Sequence, residues 1–271
     1  MRTVVGSIIK ANKIFNMINN NDKICVGVSG GKDSMLLLEG LNIYKKVVKK
    51  YLNWEIEVIG VHLKMDLCAI DYQEISDYWL SKRIEFHIIK TEMGTILRNQ
   101  MKKGKIQCSL CSKMKKAILI QEAKKLNCNK VAMGHHADDA IETFFMNMIN
   151  EGRLATFKPK MYLDRSDIWF IRPLIFSREK DIIKESQKFK LPIVPCGCPM
   201  EGFTQRDTMK DFLQINFYNN KKWNTSYKNF LMSLINSKEC DLWFTNEDKK
   251  QNNFKDIIKG FYNNGKYKPT I

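Results

Sequence analysis

The run Ser29-Gly30-Gly31-Lys32-Asp33-Ser34 has the residue types of a phosphate site. Two glycines allow backbone N–H groups to turn inward, and a helix N-terminus adds partial positive charge. Ser29, Ser34 and Lys32 supply further donors and a cation. The flanks fit this reading. Ile24-Cys25-Val26-Gly27-Val28 reads as a short buried strand, and Leu37, Leu41, Tyr44 and Val48 recur at helical spacing. The loop is not a Walker A motif, because the upstream glycine spacing is wrong and no Ser or Thr follows Lys32. Nor is it the Gly-x-Gly-x-x-Gly dinucleotide fingerprint.

A second candidate site is Gly134-His135-His136-Ala137-Asp138-Asp139, which follows the apolar segment Lys130–Met133. Two aspartates just past a strand can hold Mg²⁺ beside phosphates. They can also cap the next helix, where Ile141, Phe144, Phe145 and Met148 form an apolar face. His135 and His136 also read as strand-end packing residues. A third candidate is Cys108-x-x-Cys111, at the start of a helix and among Lys102, Lys103, Lys105, Lys113, Lys115 and Lys116. A helix N-terminus and nearby cations favour thiolates, which suits metal or redox duty. The spacing does not choose between zinc, an iron–sulfur cluster and a redox dithiol. Cys196 and Cys198 lie on a proline-rich segment, Leu191 to Pro199, which reads as extended. Cys25, Cys68, Cys128 and Cys240 stand apart and read as inert buried thiols.

The elements that must position these groups alternate. Strands are expected at Ile24–Val28, Trp54–Leu63, Phe86–Ile89, Lys130–Met133 and Ile168–Ile171, with helices between them. This predicts an α/β fold: a parallel five-stranded, Rossmann-like sheet flanked by helices, with a helical C-terminal extension. Ligands of such sheets bind beyond the carboxyl ends of strands. The glycine loop, Asp138, Asp139 and the end of the second strand lie on that edge, where backbone near His62 and Leu63 would bracket an adenine. Lys158 and Lys160 fall in a polar connection. A helix from Ser177, as N-cap, to Phe189 and another over Thr204–Phe217 are expected, and Phe230, Leu231, Leu234 and Ile235 suggest one more. The parts would be a helical lead-in (1–22), a central domain (23–218) and a basic extension (219–271), with Phe254–Ile271 as a loose basic tail.

The net charge is +16, from 45 Lys and Arg against 29 Asp and Glu. It favours a polyanionic partner, although a chain rich in Lys, Asn and Ile owes part of that charge to composition. No apolar run is long enough to span a bilayer, and the N-terminal residues lack an apolar signal core, so a cytoplasmic protein without a membrane partner is expected. Eight cysteines without a signal peptide argue against a disulfide framework.

The motifs occur in one order: Ser29–Ser34, Cys108-Ser-Leu-Cys111, Gly134-His-His-x-Asp-Asp139, Ile171-Arg-Pro-Leu174 and Pro195-Cys196. Together they resemble the tRNA 2-thiocytidine synthetase family, iron–sulfur-dependent tRNA thiolation enzymes of the PP-loop ATP pyrophosphatase superfamily. The loop alone would also fit lysidine, GMP or asparagine synthetases, and the cysteine pair beside Gly-His-His-x-Asp-Asp separates the chain from those. The resemblance covers roughly residues 20 to 218. It implies an enzyme that adenylates the C2 oxygen of a cytidine in the tRNA anticodon loop (position 32 in the family). Sulfur then replaces that oxygen, giving 2-thiocytidine, AMP and pyrophosphate.

By the same resemblance, ATP sits on Ser29, Gly30, Gly31, Lys32, Asp33 and Ser34, with His62, Leu63 and Gly134 beside it. Asp138 and Asp139 hold Mg²⁺, and Asp33, Asp138 and Lys115 are the catalytic candidates. Lys115 lies one helical turn past Cys111, and it reads equally as a surface lysine. Cys108, Cys111 and Cys196 would carry a [4Fe-4S] cluster with one iron left open. A cysteine desulfurase or free sulfide would supply sulfur, and a homodimer is a reasonable expectation. One feature departs from the family. Its usual Cys-x-x-Cys after the proline is here Cys196-Gly197-Cys198, and a four-cysteine zinc site would close the open position. Two other readings are a related tRNA 2-thiouridine synthetase and a non-catalytic RNA-binding or sulfur-sensing protein on the same fold.

Overall fold

A computed structural model describes residues 2–66, 70–101, 106–194, 198 and 202–236. The chain forms two compact units, Met1–Lys228 and Asn229–Ile271. The first contains a six-stranded sheet: β1 (Lys23–Gly27), β2 (Glu57–Met65), β3 (Glu85–Thr91), β4 (Lys130–Ala132), β5 (Lys160–Leu163) and β6 (Ile168–Ile171). Their order is β3-β2-β1-β4-β6-β5. β1 runs parallel to β2, with Lys23 opposite Glu57 and Gly27 opposite Val61. It also runs parallel to β4, with Ile24 opposite Lys130. The chain moves outward from β1 through β2 to β3, then returns to the other flank of β1 with β4. The crevice beyond the carboxyl ends of β1 and β4 is therefore the switch point at which such sheets bind ligands.

Ile24, Cys25 and Val26 are fully buried because helices cover both faces of the sheet. Helix α1 (Arg2–Phe15) buries Val4, Ile8 and Ala11 and packs against α2 (Lys32–Leu52), whose own buried face includes Met35, Leu38 and Leu41. The N-terminal residues are also tied to the sheet by a buried ion pair. Lys130 Nζ lies 2.7 Å from Asp22 Oδ2 and donates to the Met17 carbonyl at 2.8 Å. Helices α3 (Gln73–Ser81), α4 (Met93–Asn99), α5 (Cys108–Lys125), α6 (Ala137–Glu151), α7 (Glu179–Lys188), α8 (Gln205–Leu213) and α9 (Ser226–Ile235) follow in order.

Three expectations are corrected. The sheet has six strands, not five, and is mixed, because β5 pairs antiparallel with β6 from Lys160–Ile171 to Leu163–Ile168. The segment around Lys160 reads as polar connection because an edge strand buries little and so shows weak patterning. It is held instead by its neighbour, with Tyr162 and Trp169 rings 5.0 Å apart and Lys160 Nζ 4.2 Å from the Trp169 ring centre. The N-cap of α7 is Arg178, not Ser177. Ser177 is buried one residue earlier, where its carbonyl accepts from the Ala137 N–H at 3.0 Å. Finally, the helix expected to Phe217 ends as α-helix at Leu213 and continues as one wide π turn, Gln214–Tyr218. Its start is as expected, with Thr204 as N-cap accepting from the Asp207 N–H.

Candidate active site

The loop between β1 and α2 is braced by its two serines. Ser34 Oγ accepts from the Ser29 N–H at 3.0 Å, donates to the Gly31 carbonyl at 3.0 Å and lies 3.0 Å from Ser29 Oγ. Gly30 adopts φ +88°, which L side chains rarely tolerate. The N-cap of α2 is Gly31, whose side-chain-free start receives no side-chain cap. Helix-start N–H groups are thus left for a ligand, and anions are their natural partner. Lys32 Nζ sits 3.3 Å from Asp33 Oδ2 and 3.1 Å from Glu179 Oε1.

The segment after β4 closes on this loop. Gly134 permits the approach, since a Cβ there would lie 3.0 Å from the Asp33 carbonyl carbon and 3.1 Å from Ser34 N. Behind it, three carboxylates surround the buried His136 ring. Asp33 Oδ1 and Asp138 Oδ2 lie 3.7 Å from its nitrogens, and Asp139 Oδ2 lies 3.5 Å away. The capping reading of the aspartates is seen directly. Asp139 Oδ2 caps α6 by accepting from the His136 N–H at 2.9 Å, and Asp33 and Asp138 face the same ring. Burial pushes the Asp33 carboxyl above its usual range despite Lys32 and His136. Burial also opposes ionisation of Asp139, but His136, Arg206 and His135 outweigh it and hold that carboxyl below the usual range.

Side chains from α7 and α8, singled out by no motif, complete the cluster. Arg206 Nη1 donates to Asp139 Oδ1 at 2.7 Å, and its Nη2 donates to Thr143 Oγ1 at 3.0 Å. Lys210 Nζ donates to Glu179 Oε1 at 2.6 Å. The Glu179 N–H donates to Asp138 Oδ2 at 2.8 Å, and the Tyr227 hydroxyl donates to the same oxygen at 3.2 Å. Arg178 stacks on the Tyr227 ring at 3.6 Å. Burial works against a charged Glu179, but Lys210 and Lys32 hold it below the usual carboxylate range. Glu142, one turn past Asp138 on α6, goes the other way. Burial and Asp139 push it up to about 8, although Arg206 Nη1 is 3.9 Å from its Oε2.

On the other side of the loop a cavity of about 470 Å³ opens. Its lining joins Ser29 of the loop, His62 and Leu63 at the end of β2, and the thiol-bearing start of α5, with Cys108, Cys111 and Lys115. Cys198 also lines it, whereas Cys196 lies outside the described residues, as do Lys102, Lys103 and Lys105. His62 Nδ1 donates to the Val28 carbonyl at 2.8 Å, since a carbonyl can only accept. Burial lowers its pKa, so the ring is neutral and its Nε2 keeps a lone pair. Tyr72 packs over it at 3.9 Å between ring centres. The floor is cationic: Arg172 stacks on Phe157 and Phe170, at 4.6 and 5.0 Å, and Lys116 Nζ lies 4.9 Å from the Phe170 ring centre.

The donor sets fit the groups they are expected to hold. Asp33 Oδ1 is buried without a hydrogen-bond partner beside the phosphate loop, as suits a hard divalent cation near phosphate. Cys108 and Cys111, one turn apart at a helix start without acidic residues, suit a soft, thiolate-held metal group. Among the described residues no three His, Cys, Asp or Glu side chains already form a metal-holding group.

The PP-loop domain family matches residues 5–193 of this sequence. The tRNA-cytidine(32) 2-sulfurtransferase 1 of Francisella tularensis is 38% identical over 213 residues, covering 78% of each chain. The chain belongs to this family. A Vibrio cholerae tRNA-cytidine(32) 2-sulfurtransferase is 36% identical over 200 residues, which cover 73% of this chain and 63% of that one. A U34-tRNA thiolase, NcsA from Methanococcus maripaludis, solved with its [4Fe-4S] cluster, shares the fold at a TM-score of 0.66 and 20% identity, with 90% of this chain and 84% of that one covered.

Within this PP-loop sulfurtransferase chain, the loop, Gly134, Asp138 and Asp139 come together on one side. Ser29, His62, Leu63, Cys108, Cys111 and Lys115 come together in the cavity. Sequence reasoning missed Glu179, Arg206, Lys210 and Tyr227. Only weak signals pointed to them: an acid at the first position of α7, and two cations at i, i+4 spacing on α8.

Proposed function

We propose that this chain is an ATP-dependent tRNA sulfurtransferase that converts cytidine 32 of the anticodon loop to 2-thiocytidine. The observation that carries the reading is the shared cavity, in which Ser29 of the phosphate loop and the thiols of Cys108 and Cys111 face one space. ATP lies with its phosphates on the N–H groups at the start of α2. Lys32 meets the phosphate charge, and His62 and Leu63 border the adenine. Asp33, whose buried Oδ1 has no hydrogen-bond partner, would hold Mg²⁺ with Asp138 as the second candidate ligand, while Asp139 accepts from the His136 N–H and from Arg206.

The cytidine O2 attacks the α-phosphorus, and the bond to pyrophosphate breaks. Sulfur then forms the bond to C2, and the C2–O bond breaks to release AMP. Cys108, Cys111 and Cys196 would hold a [4Fe-4S] cluster, which when bound supplies an open iron position for the incoming sulfur. Lys115 and Arg172 place positive charge in the cavity that receives the anionic substrate. The chain works in the cytoplasm, with a cysteine desulfurase or free sulfide as sulfur source, and assembles as a homodimer.

The test is a reconstituted reaction with ATP, sulfide and an anticodon stem-loop. It should release pyrophosphate and AMP and yield 2-thiocytidine by nucleoside mass spectrometry. A missing thiouridine in a deletion strain would instead support the uridine enzyme. Cluster or RNA binding without pyrophosphate release would support the non-catalytic reading.

A further inference from the structure

We propose that Lys210 of α8 is a second cation for the β- and γ-phosphates of ATP, working as a pair with Lys32. This deepens the reading above and rests on ATP binding at the phosphate loop. The two lysines come from distant parts of the sequence, yet share one carboxylate oxygen. Glu179 Oε1 lies 3.1 Å from Lys32 Nζ and 2.6 Å from Lys210 Nζ. The ammonium nitrogens therefore lie within about 6 Å of each other, the most that two such distances to one atom allow.

Like charges this close repel unless an anion lies between them, and Glu179 is that anion. One carboxylate leaves the pair with a net positive charge beside N–H groups that already favour an anion. Lys32 begins α2 directly after the loop glycines, so the pair lies at the phosphate end of the proposed nucleotide site. Neither lysine lines the cavity in which Ser29, His62 and the thiols meet, so both serve the leaving group rather than the reacting base. The Lys210 side chain is 41% exposed, which leaves it free to turn from Glu179 to a phosphate. Its helix is fixed meanwhile by the Arg206–Asp139 pair one turn earlier and by buried Met209 and Leu213.

Nucleotides that differ only in phosphate number separate this role from a structural one. Binding of ATP, inorganic pyrophosphate and AMP is measured by calorimetry on the full chain and on its Lys210→Ala and Lys210→Arg variants. Lys210→Ala should weaken ATP and pyrophosphate about tenfold, as expected for one charge-assisted hydrogen bond, and leave AMP unchanged. Lys210→Arg should recover most of the loss. Equal weakening of all three ligands, or of none, overturns the assignment. If the wild-type chain binds neither ATP nor pyrophosphate, the ATP reading fails along with it. If it binds both and Lys210→Ala binds them equally well, only the role of Lys210 fails.

Discussion

Replacing Glu142 by Gln should stabilise the protein, and by an amount that grows with pH. Glu142 is 5% exposed on α6 and lies within reach of Asp139. Burial, then Asp139, raises its carboxyl from 4.5 to about 8, against the pull of Arg206. Below the unfolded value both states carry the proton, and the group contributes nothing to pH dependence. Between 4.5 and about 8 the unfolded chain has released the proton while the folded chain keeps it, so stability falls as pH rises. Above about 8 both states are ionised, and the full cost of a buried carboxylate is present. At about 1.4 kcal/mol per pH unit that cost has an upper bound near 5 kcal/mol, and relaxation of a site next to Arg206 reduces it to roughly 1–3 kcal/mol.

Gln has nearly the same shape and no such titration. Urea unfolding of wild type and Glu142→Gln at pH 5, 7 and 9 isolates the effect, because most other groups cancel in the difference. The two proteins should be nearly equal at pH 5, and the variant should be the more stable at pH 9. A difference that stays flat across the range, or a wild type that gains on the variant as pH rises, would show that Arg206 neutralises Glu142 and that the acid is ionised in the folded state.

Three further outcomes follow from named contacts. Gly134→Ala places a Cβ 3.0 Å from the Asp33 backbone, so it should push α6 from the phosphate loop. The ATP KM should rise at least about tenfold with little change in Tm, as a displacement of under an ångström at a binding site does. Lys130→Met leaves Asp22 buried without its cation, and should cost about 3–5 kcal/mol in urea unfolding. Tyr227→Phe removes the hydroxyl on Asp138 Oδ2 while keeping the ring under Arg178. It should lower the rate of AMP formation about tenfold, the worth of one hydrogen bond to a charged group, with an unchanged far-ultraviolet circular dichroism spectrum.

The sequence makes legible whatever is local. The phosphate loop declares itself because strand, glycine turn and helix follow one another within the chain, and the serines that brace it lie within six residues. Cys108 and Cys111 are visible for the same reason, as is the capping aspartate Asp139. Partners brought in by folding leave little trace. Glu179 reads as an ordinary acid in the first turn of α7, where it complements the helix dipole, and nothing in its neighbours indicates that it bridges Lys32 and Lys210. The β5 strand hides because its edge position asks little of its side chains. Cys196, on which the ligand set depends, lies outside the described residues.

The two halves of the site are joined at one short piece of backbone. β1 ends at Gly27, and a Cβ there would lie 2.7 Å from Leu119 of α5. The helix that carries Cys108 and Cys111 therefore packs directly on the strand that feeds the phosphate loop, through the buried cluster of Leu119, Ile120 and Ala123 with Cys25 and Val131. Close packing of this kind transmits displacement rather than absorbing it. A shift of α5 is therefore coupled to the loop, so that Ser29, Cys108 and Cys111 stay in register across the cavity they line. The acids and lysines of α6, α7 and α8 grip the far side of the same loop. On the proposed function, one side of Ser29–Ser34 would face the leaving group and the other the base, so phosphate activation and sulfur delivery would share a six-residue turn without sharing side chains.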